Sequence, residues 1–368
     1  MQKPDILAAG AAEMDFGTAP VVQEALHEAV REHLLGYLPQ ALTDSVRRAC
    51  ADWQQDTYGW SVDADDVQLL PDVVRALHVA IQYFSKPATP VIVPTPAYPP
   101  FLKVPAVLGR PVIEVDMVNI KGRFTYDLEE LDRAFRAGGH ILLLCNPHNP
   151  TGRVLDRTEL AALSEVVERH GGRVFADEVH APLTYPGQQH IPYASISPAA
   201  AAHTITATSA SKAWNLPGLK CAQVLLSNDA DRNRWQRLDR LATDGTSVLG
   251  AVANAAAFRH GRPWLEQTIG LLDRNRHRLG CQLKQAHPCI SYVPPEGTYL
   301  AWLDCRSLAL DRTPARYFAD RGQISTLDGG DCGRAGKGFV RLNFATDLDV
   351  LTRIVHRIAA SLAPCRIS

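Results

Sequence analysis

The sequence has no long hydrophobic run and no excess of charge of either sign, and both absences restrict its function. No stretch approaches the roughly 20 apolar residues that a membrane-spanning helix requires. The first ten residues, "MQKPDILAAG", lack the charged, apolar and cleavage-site segments of a secretory signal. The net charge of −1 over 368 residues offers no basic surface for nucleic acid. We therefore expect a cytoplasmic protein that acts on a small molecule, with neither nucleic acid nor membrane as partner.

Motifs of several common enzyme classes are also missing. The sequence has no GxGxxG for a nicotinamide dinucleotide, no GxSxG for a serine hydrolase and no HExxH for zinc. The glycine-rich "GRAGKG" at 333–338 has the wrong spacing for a nucleoside triphosphate loop. The eight cysteines form no CxxC pair, so we expect reduced thiols, mostly in the core. The histidines show no metal-ligand spacing, and no metal centre is expected.

Lysine is scarce, since it accounts for only eight of the 38 basic residues. Two of the eight, Lys212 and Lys220, lie close together in "TATSASKAWNLPGLK". An isolated lysine is usually a solvated surface residue, but Lys212 is flanked by Ser, Ala and Trp rather than by charges. A buried lysine amine with a lowered pKa can condense with an aldehyde, whereas arginine cannot because it does not deprotonate. Lys212 is therefore predicted to hold an aldehyde cofactor and later to act as a base.

Apolar runs that alternate with helix-period segments between residues 66 and 270 predict an α/β fold. The strand candidates are "PVIVPTPAY", "HILLLCNP", "GRVFADEV", "TITATSAS" and "CAQVLLS". Because these runs are continuously apolar, we expect a mostly parallel mixed sheet covered by helices on both faces. The pattern changes near residue 270 and predicts a smaller α+β domain. The expected division is an N-terminal segment 1–35 packing with the small domain, a large domain 36–265 and a small domain 266–368.

Polar residues cluster where the predicted strands end, in "YPPF", "NPHNPTGR", "DEVH" and "SASK". Functional groups of such sheets lie at the carboxyl ends of the strands. Asp177 ends a strand, where a carboxylate is costly unless it is paired, and it could keep the nitrogen of a pyridine ring protonated. Asn149 could donate to a ring oxygen, and Tyr98 could stack on the ring. These clusters predict one site at one edge of the sheet.

Further residues suit a phosphate and a carboxylate. Ser209, Ser211 and Lys220 offer hydroxyl and ammonium donors to a phosphate dianion. The helix predicted at "VVRAL" would add backbone N–H groups and its dipole. Arg341, in "FVRLNFA", is a candidate bidentate partner of a substrate carboxylate.

These segments, taken in order, resemble one enzyme family. The chain is similar to the fold-type I pyridoxal 5′-phosphate (PLP) enzymes of the class I/II aminotransferase superfamily, in the cystathionine β-lyase-like branch that includes the maltose-regulon modulators. The resemblance covers nearly the whole chain, through "EMDFGTAP", "PTPAYPPF", "LLLCNPHNPTGRV", "SKAWNLPGLK" and "GFVRLNFAT". It implies an aspartate-aminotransferase-like fold and a Schiff base between Lys212 and PLP.

The resemblance also implies roles for the other residues. Asp177 would pair with the pyridinium, Asn149 and Tyr98 would hold the ring, and Arg341 would bind the α-carboxylate. The phosphate would be held by Ser209, Ser211, Lys220 and the amides of Val73 and Val74. His180 is counted among the cofactor-binding residues, in the core or just behind those that contact the cofactor directly. Family members are homodimers with shared active sites, and Tyr37 would reach the phosphate of the neighbouring subunit.

The implied reaction is β-elimination of a thiol from an S-substituted L-cysteine or cystathionine, leaving pyruvate and ammonia. Two alternatives stay open: transamination, and decarboxylation or oxidative deamination of an S-conjugated cysteine in specialised (antibiotic) metabolism. A regulatory role through a partner protein also stays open.

Three positions depart from the branch pattern. The phosphate-side helix usually begins Gly-Val-Val, but here the sequence is "PDVVRAL", and we expect Asp72 to cap this helix and point away from the phosphate. Pro182 replaces an acid in "DEVHAP", and Cys332 replaces a phenylalanine before Gly333. Pro182 and Cys332 are expected to line the substrate side.

Overall fold

The computed structural model describes residues 6–362, in which 13 α-helices and 14 strands are formed. The helices are α1 (Pro20–Arg31), α2 (Gln40–Tyr58), α3 (Val73–Tyr83), α4 (Pro99–Val107), α5 (Leu128–Arg136), α6 (Arg157–Arg169), α7 (Pro198–His203), α8 (Asp229–Trp235), α9 (Arg240–Thr243), α10 (Val248–His260), α11 (Arg262–Ala286), α12 (Pro314–Tyr317) and α13 (Leu348–Ser361). The strands are β1 (Leu7–Ala8), β2 (Val67–Leu70), β3 (Val91–Thr95), β4 (Val112–Asp116), β5 (Val118–Ile120), β6 (Arg123–Thr125), β7 (Ile141–Cys145), β8 (Arg173–Asp177), β9 (Thr204–Thr208), β10 (Ala222–Leu226), β11 (Leu300–Asp304), β12 (Ile324–Ser325), β13 (Leu327–Asp328) and β14 (Phe339–Asn343).

A seven-stranded sheet forms the centre of the molecule, in the order β2-β10-β9-β8-β7-β3-β4. The five strands from β9 to β4 run parallel, whereas β10 is antiparallel to both of its neighbours. The five strand candidates in the sequence correspond to β3, β7, β8, β9 and β10. The prediction of a mostly parallel mixed sheet is therefore confirmed.

Alternate residues of the strands pack against helices on opposite faces of this sheet. Leu143 of β7 lies in one cluster with Leu77 of α3 and Phe101 of α4. Its neighbours in sequence, Leu142 and Leu144, lie in a second cluster that includes residues of α5 and α6. Because successive side chains of a strand point to opposite faces, a strand covered on both sides must be apolar throughout. This burial explains the uninterrupted apolar runs.

The chain after α11 forms a three-stranded antiparallel sheet, in the order β11-β14-β13. The short strand β1 pairs in parallel with β12 and joins the N-terminus to this part of the chain. Helix α1, however, packs against α10. The expected boundary at 265–266 falls within α11, which is one continuous helix. The three-part division of the chain stays a prediction, and its ends at 1–5 and 363–368 lie outside the described residues.

The cysteines of the described residues are free and buried, as expected, with two exceptions. Free buried cysteines are Cys50, Cys145, Cys221, Cys305 and Cys332, while Cys281 is free and exposed. Cys289 is disulfide-bonded, so the prediction of reduced thiols is wrong for this residue. Cys365 lies outside the described residues. Among residues 6–362, no helix is both long enough and apolar enough to cross a bilayer.

Candidate active site

The parallel strands β3, β7, β8 and β9 end at one edge of the sheet, where a cavity of about 260 Å³ opens. Its lining residues come from the ends of these strands and the segments that follow them, from the start of α3, from the turn before β10, from β14 and from Ala12. They are Ala12, Pro71, Asp72, Val73, Val74, Tyr98, Cys145, Asn149, Asp177, Val179, His180, Ser209, Ser211, Lys212, Pro217, Lys220, Cys221 and Arg341. Every residue predicted to bind the cofactor or the substrate carboxylate lines this cavity except Tyr37, which is 97% exposed.

Lys212 lies in the turn that follows β9, and its amine is held inside the cavity. Its Nζ donates a hydrogen bond of 2.8 Å to the backbone carbonyl of Ala12. Burial, reinforced by the positive charge of Arg341, lowers the pKa of Lys212 to about 8, while Asp177 opposes this shift. Such a lysine has a larger neutral fraction near neutral pH than an exposed one, and only the neutral amine is a nucleophile or base.

Asp177 is the last residue of β8 and is almost completely buried. Its Oδ1 accepts a hydrogen bond of 3.1 Å from the backbone N–H of Val179. Burial raises the pKa of this carboxyl to about 7, although the Val179 hydrogen bond and the Lys212 charge act in the opposite direction. A buried carboxylate with so few partners is stabilised by a cation or a protonated ring nitrogen.

His180 is buried, lines the same cavity and makes an edge contact with the ring of Tyr299. Burial keeps the pKa of His180 well below its usual range, and the Lys212 and Arg341 charges add to the effect. The ring is therefore neutral. Within the described part of the chain its Nδ1 has no hydrogen-bond partner, which leaves one polar atom available to a bound molecule.

Arg341 projects from β14 and is buried, with 4% of its surface exposed. Its Nη1 donates to Asn149 Oδ1 at 3.0 Å, and its Nη2 donates to the carbonyl of Gly10 at 2.8 Å. Its Nε has no partner among residues 6–362. Tyr98 lies nearby, and burial raises the pKa of its hydroxyl, so the hydroxyl keeps its proton. The guanidinium is thus held in place by two of its five N–H donors, and the other three have no partner in these two bonds.

The opposite end of the cavity carries hydroxyl groups, an ammonium and the first turn of α3. Ser209 Oγ accepts from the N–H of Ser211 at 3.0 Å and donates to the carbonyl of Cys221 at 2.7 Å. Lys220 Nζ lies 2.9 Å from Asp72 Oδ2. The expectation that Asp72 caps α3 is confirmed, since Oδ1 accepts from the N–H of Arg75 at 2.7 Å. The expectation that it points away is wrong, because the carboxylate lines the cavity.

Several features of the site were not predicted. The carbonyl of Ala12 accepts from both Lys212 and the hydroxyl of Tyr299, at 2.8 and 2.9 Å. The segment "EMDFGTAP" follows this residue directly and is the only sequence feature that pointed to the region. Pro182 and Cys332, expected on the substrate side, do not line the cavity.

The chain is similar to enzymes of known class over nearly its whole length. Residues 4–358 match the family model described as aminotransferase class I and II. A cystathionine beta-lyase of Corynebacterium glutamicum is 38% identical over 97% of this chain and 94% of its own length. Cystathionine beta-lyase PatB of Bacillus subtilis is 31% identical, covering 98% and 93%. The crystal structure of a PLP-bound C–S lyase of Staphylococcus hominis superposes with a TM-score of 0.93 at 26% identity, covering 99% and 90%.

Proposed function

The chain belongs to the class I and II aminotransferase family and to its cystathionine β-lyase-like branch, as the sequence predicted, and from this we propose that it is a PLP-dependent carbon–sulfur β-lyase. It cleaves an S-substituted L-cysteine or a cystathionine-like amino acid, with water, to a thiol, pyruvate and ammonia. The observation that carries the proposal is the Lys212 amine, whose pKa is lowered to about 8, in one cavity with Asp177 and Arg341.

The unsatisfied groups of the cavity fit the cofactor. Asp177 is a buried carboxylate that gains a partner when it faces the pyridine nitrogen of PLP. His180 Nδ1 is a buried polar atom without a partner in the described chain, and a bound cofactor would supply one. Tyr98 and Asn149 line the same cavity and would hold the ring, Asn149 through its side-chain amide. Ser209, Ser211, Lys220 and the amides of Val73 and Val74 hold the phosphate.

PLP supplies an electron sink for the negative charge that develops at the α-carbon. The protein moves the proton: the neutral Nζ of Lys212 accepts it from the α-carbon of the substrate. Tyr98 retains its hydroxyl proton because burial raises its pKa, so it serves as a hydrogen-bond donor. Asp177 remains ionised once a protonated nitrogen faces it, since an opposite charge lowers the pKa of a carboxyl.

Arg341 orients the substrate by its α-carboxylate. Each Nη atom uses one of its two N–H groups, to Asn149 or to the carbonyl of Gly10, so the guanidinium enters the reaction already positioned. The second N–H of each Nη is a donor for a carboxylate oxygen. Orienting the substrate before reaction removes part of the entropic barrier to proton transfer.

The protein acts as a homodimer with shared active sites. Tyr37 is 97% exposed and the nearby Leu35 is 61% exposed, which is the state of residues that a second subunit covers. In this assembly Tyr37 would contact the phosphate bound by the neighbouring subunit. Light scattering on the purified protein tests the assembly: a mass of twice 40.3 kDa supports it, and a mass of 40.3 kDa overturns it.

The products formed without a keto acid test the reaction. Purified protein with PLP and either L-cystathionine or an S-alkyl cysteine is expected to release pyruvate, ammonia and free thiol in equal amounts. Turnover that requires a keto acid and releases no thiol would establish transamination instead. Release of carbon dioxide would establish a decarboxylating enzyme.

A further inference from the structure

An acidic side chain occupies the phosphate end of the cavity. Asp72 Oδ2 lies 2.9 Å from the ammonium of Lys220, and both residues line the same cavity as Val73 and Val74. The side chains of Lys220 and Asp72 are 56% and 37% exposed, so a small anion can approach the pair from solvent. The ammonium proposed to hold a phosphate is therefore already paired with a carboxylate of the protein.

The Asp72 carboxylate and the backbone of Lys220 are both held in place. Asp72 Oδ1 caps α3 by accepting from the N–H of Arg75 at 2.7 Å, so turning the carboxylate away would lose a helix cap. Lys220 has a left-handed backbone with φ of 53° and its carbonyl accepts from the N–H of Ser247 at 2.9 Å. The carboxylate consequently stays at the phosphate end when an anion enters.

Charge at this end of the cavity is balanced before any ligand binds. The Lys220 ammonium is offset by the Asp72 carboxylate, and the hydroxyl of Ser209 is engaged with Cys221 and Ser211. A phosphate dianion must share Lys220 with Asp72 and lie near a like charge. Like charges placed close together are repulsive, and the repulsion decreases with added salt.

On this basis we propose that Asp72 competes with the phosphate of the cofactor for Lys220 and makes the cofactor readily released. The inference rests on the proposed PLP-dependent function. It concerns the phosphate alone, because the remainder of the cofactor contacts other residues of the cavity. Neutralising Asp72 is therefore expected to strengthen binding of PLP and to leave binding of pyridoxal, which has no phosphate, unchanged.

The experiment measures the dissociation constants of PLP and of pyridoxal for the apoprotein of the wild type, Asp72→Asn and Asp72→Ser. Asparagine and serine both cap helices well, so α3 keeps its cap in either variant. We expect PLP to bind about five- to tenfold more tightly to both variants at low salt. This gain in PLP affinity should be smaller at high salt. Pyridoxal should bind all three proteins equally.

Asp127→Asn is the matched control, because Asp127 caps α5 in the same way but does not line the cavity. It should leave the PLP dissociation constant unchanged. The inference is overturned if PLP binds the Asp72 variants no more tightly than the wild type, or if pyridoxal gains as much as PLP. Failure of every protein to bind PLP would instead overturn the proposed function, so the two failures are distinguishable.

Discussion

Arg341 Nη1 donates a hydrogen bond of 3.0 Å to Asn149 Oδ1, across 192 positions of the chain. The bond joins β14 in the C-terminal sheet to the loop that follows β7 in the central sheet. The proposed binding site for the substrate carboxylate is therefore built by both parts of the chain. The local sequence around either residue does not show that the two side chains meet.

Arg341→Lys is expected to lower kcat/KM about 100-fold, because lysine cannot reproduce the planar fork that reaches both Asn149 and a carboxylate. If Arg341 binds the substrate as tightly in the ground state as in the transition state, the variant should show a higher KM and an unchanged kcat. Steady-state kinetics with an S-alkyl cysteine measure the effect. An unchanged kcat/KM would show that the carboxylate is bound elsewhere.

Lys212→Arg is expected to lower kcat by about 10⁴-fold, because arginine keeps the positive charge but cannot lose a proton near neutral pH. Lys103→Arg is the control, since Lys103 is exposed on α4 and lies outside the cavity. Pyruvate formation measures both variants. A Lys212→Arg enzyme that retained wild-type activity would exclude a proton-accepting role for the amine.

The free energy of unfolding of the apoprotein should depend on Asp177 and on pH. Burial raises the pKa of this carboxyl from 3.8 to about 7, so the folded state binds the proton more tightly than the unfolded state. Stability from this group is fully present below pH 3.8 and is lost as the pH rises to 7. Asp177→Asn removes the buried charge and should stabilise the apoprotein at pH 8 by about 4 kcal/mol.

Urea denaturation of cofactor-free protein at pH 4 and pH 8 measures this difference. The difference in unfolding free energy between Asp177→Asn and the wild type should nearly disappear at pH 4, because the wild-type carboxyl is then protonated in the folded state. The same substitution should abolish lyase activity with PLP. If Asp177→Asn stabilised the protein equally at both pH values, ionisation of Asp177 would not be the cause of the stability difference.

Glu296→Ala is expected to destabilise the protein by about 3 kcal/mol, because it leaves a buried arginine with one fewer partner. Arg153 is 4% exposed and pairs with both Glu159 and Glu296. Glu296 also accepts from the N–H of Val154 at 2.9 Å. Glu130→Ala, which breaks an exposed pair with Arg133 on α5, should have no measurable effect. Thermal unfolding of both variants checks the contrast.

The central sheet could be predicted because its strands are short and buried on both faces. Runs such as "HILLLCNP" and "GRVFADEV" are apolar throughout and end in polar residues, so both the strand and its functional end are visible in the sequence. The convergence of Tyr98, Asn149 and Asp177 then follows from the parallel order of β3, β7 and β8.

Contacts to the backbone could not be predicted in the same way. The carbonyl of Ala12 binds Lys212 across 200 positions, and carbonyl groups are identical at every residue. The pairing of Asp72 with Lys220 also depends on how the turn before β10 meets the start of α3. Such contacts are fixed by the path of the chain, which local patterns do not specify.

The most direct test is to identify the residue that binds the cofactor covalently. The purified protein is incubated with PLP, reduced with borohydride, digested and analysed by mass spectrometry. The account predicts one pyridoxyl-modified peptide, with the modification on Lys212 and none on Lys220. Modification of another lysine, or none at all in protein saturated with PLP, would contradict it.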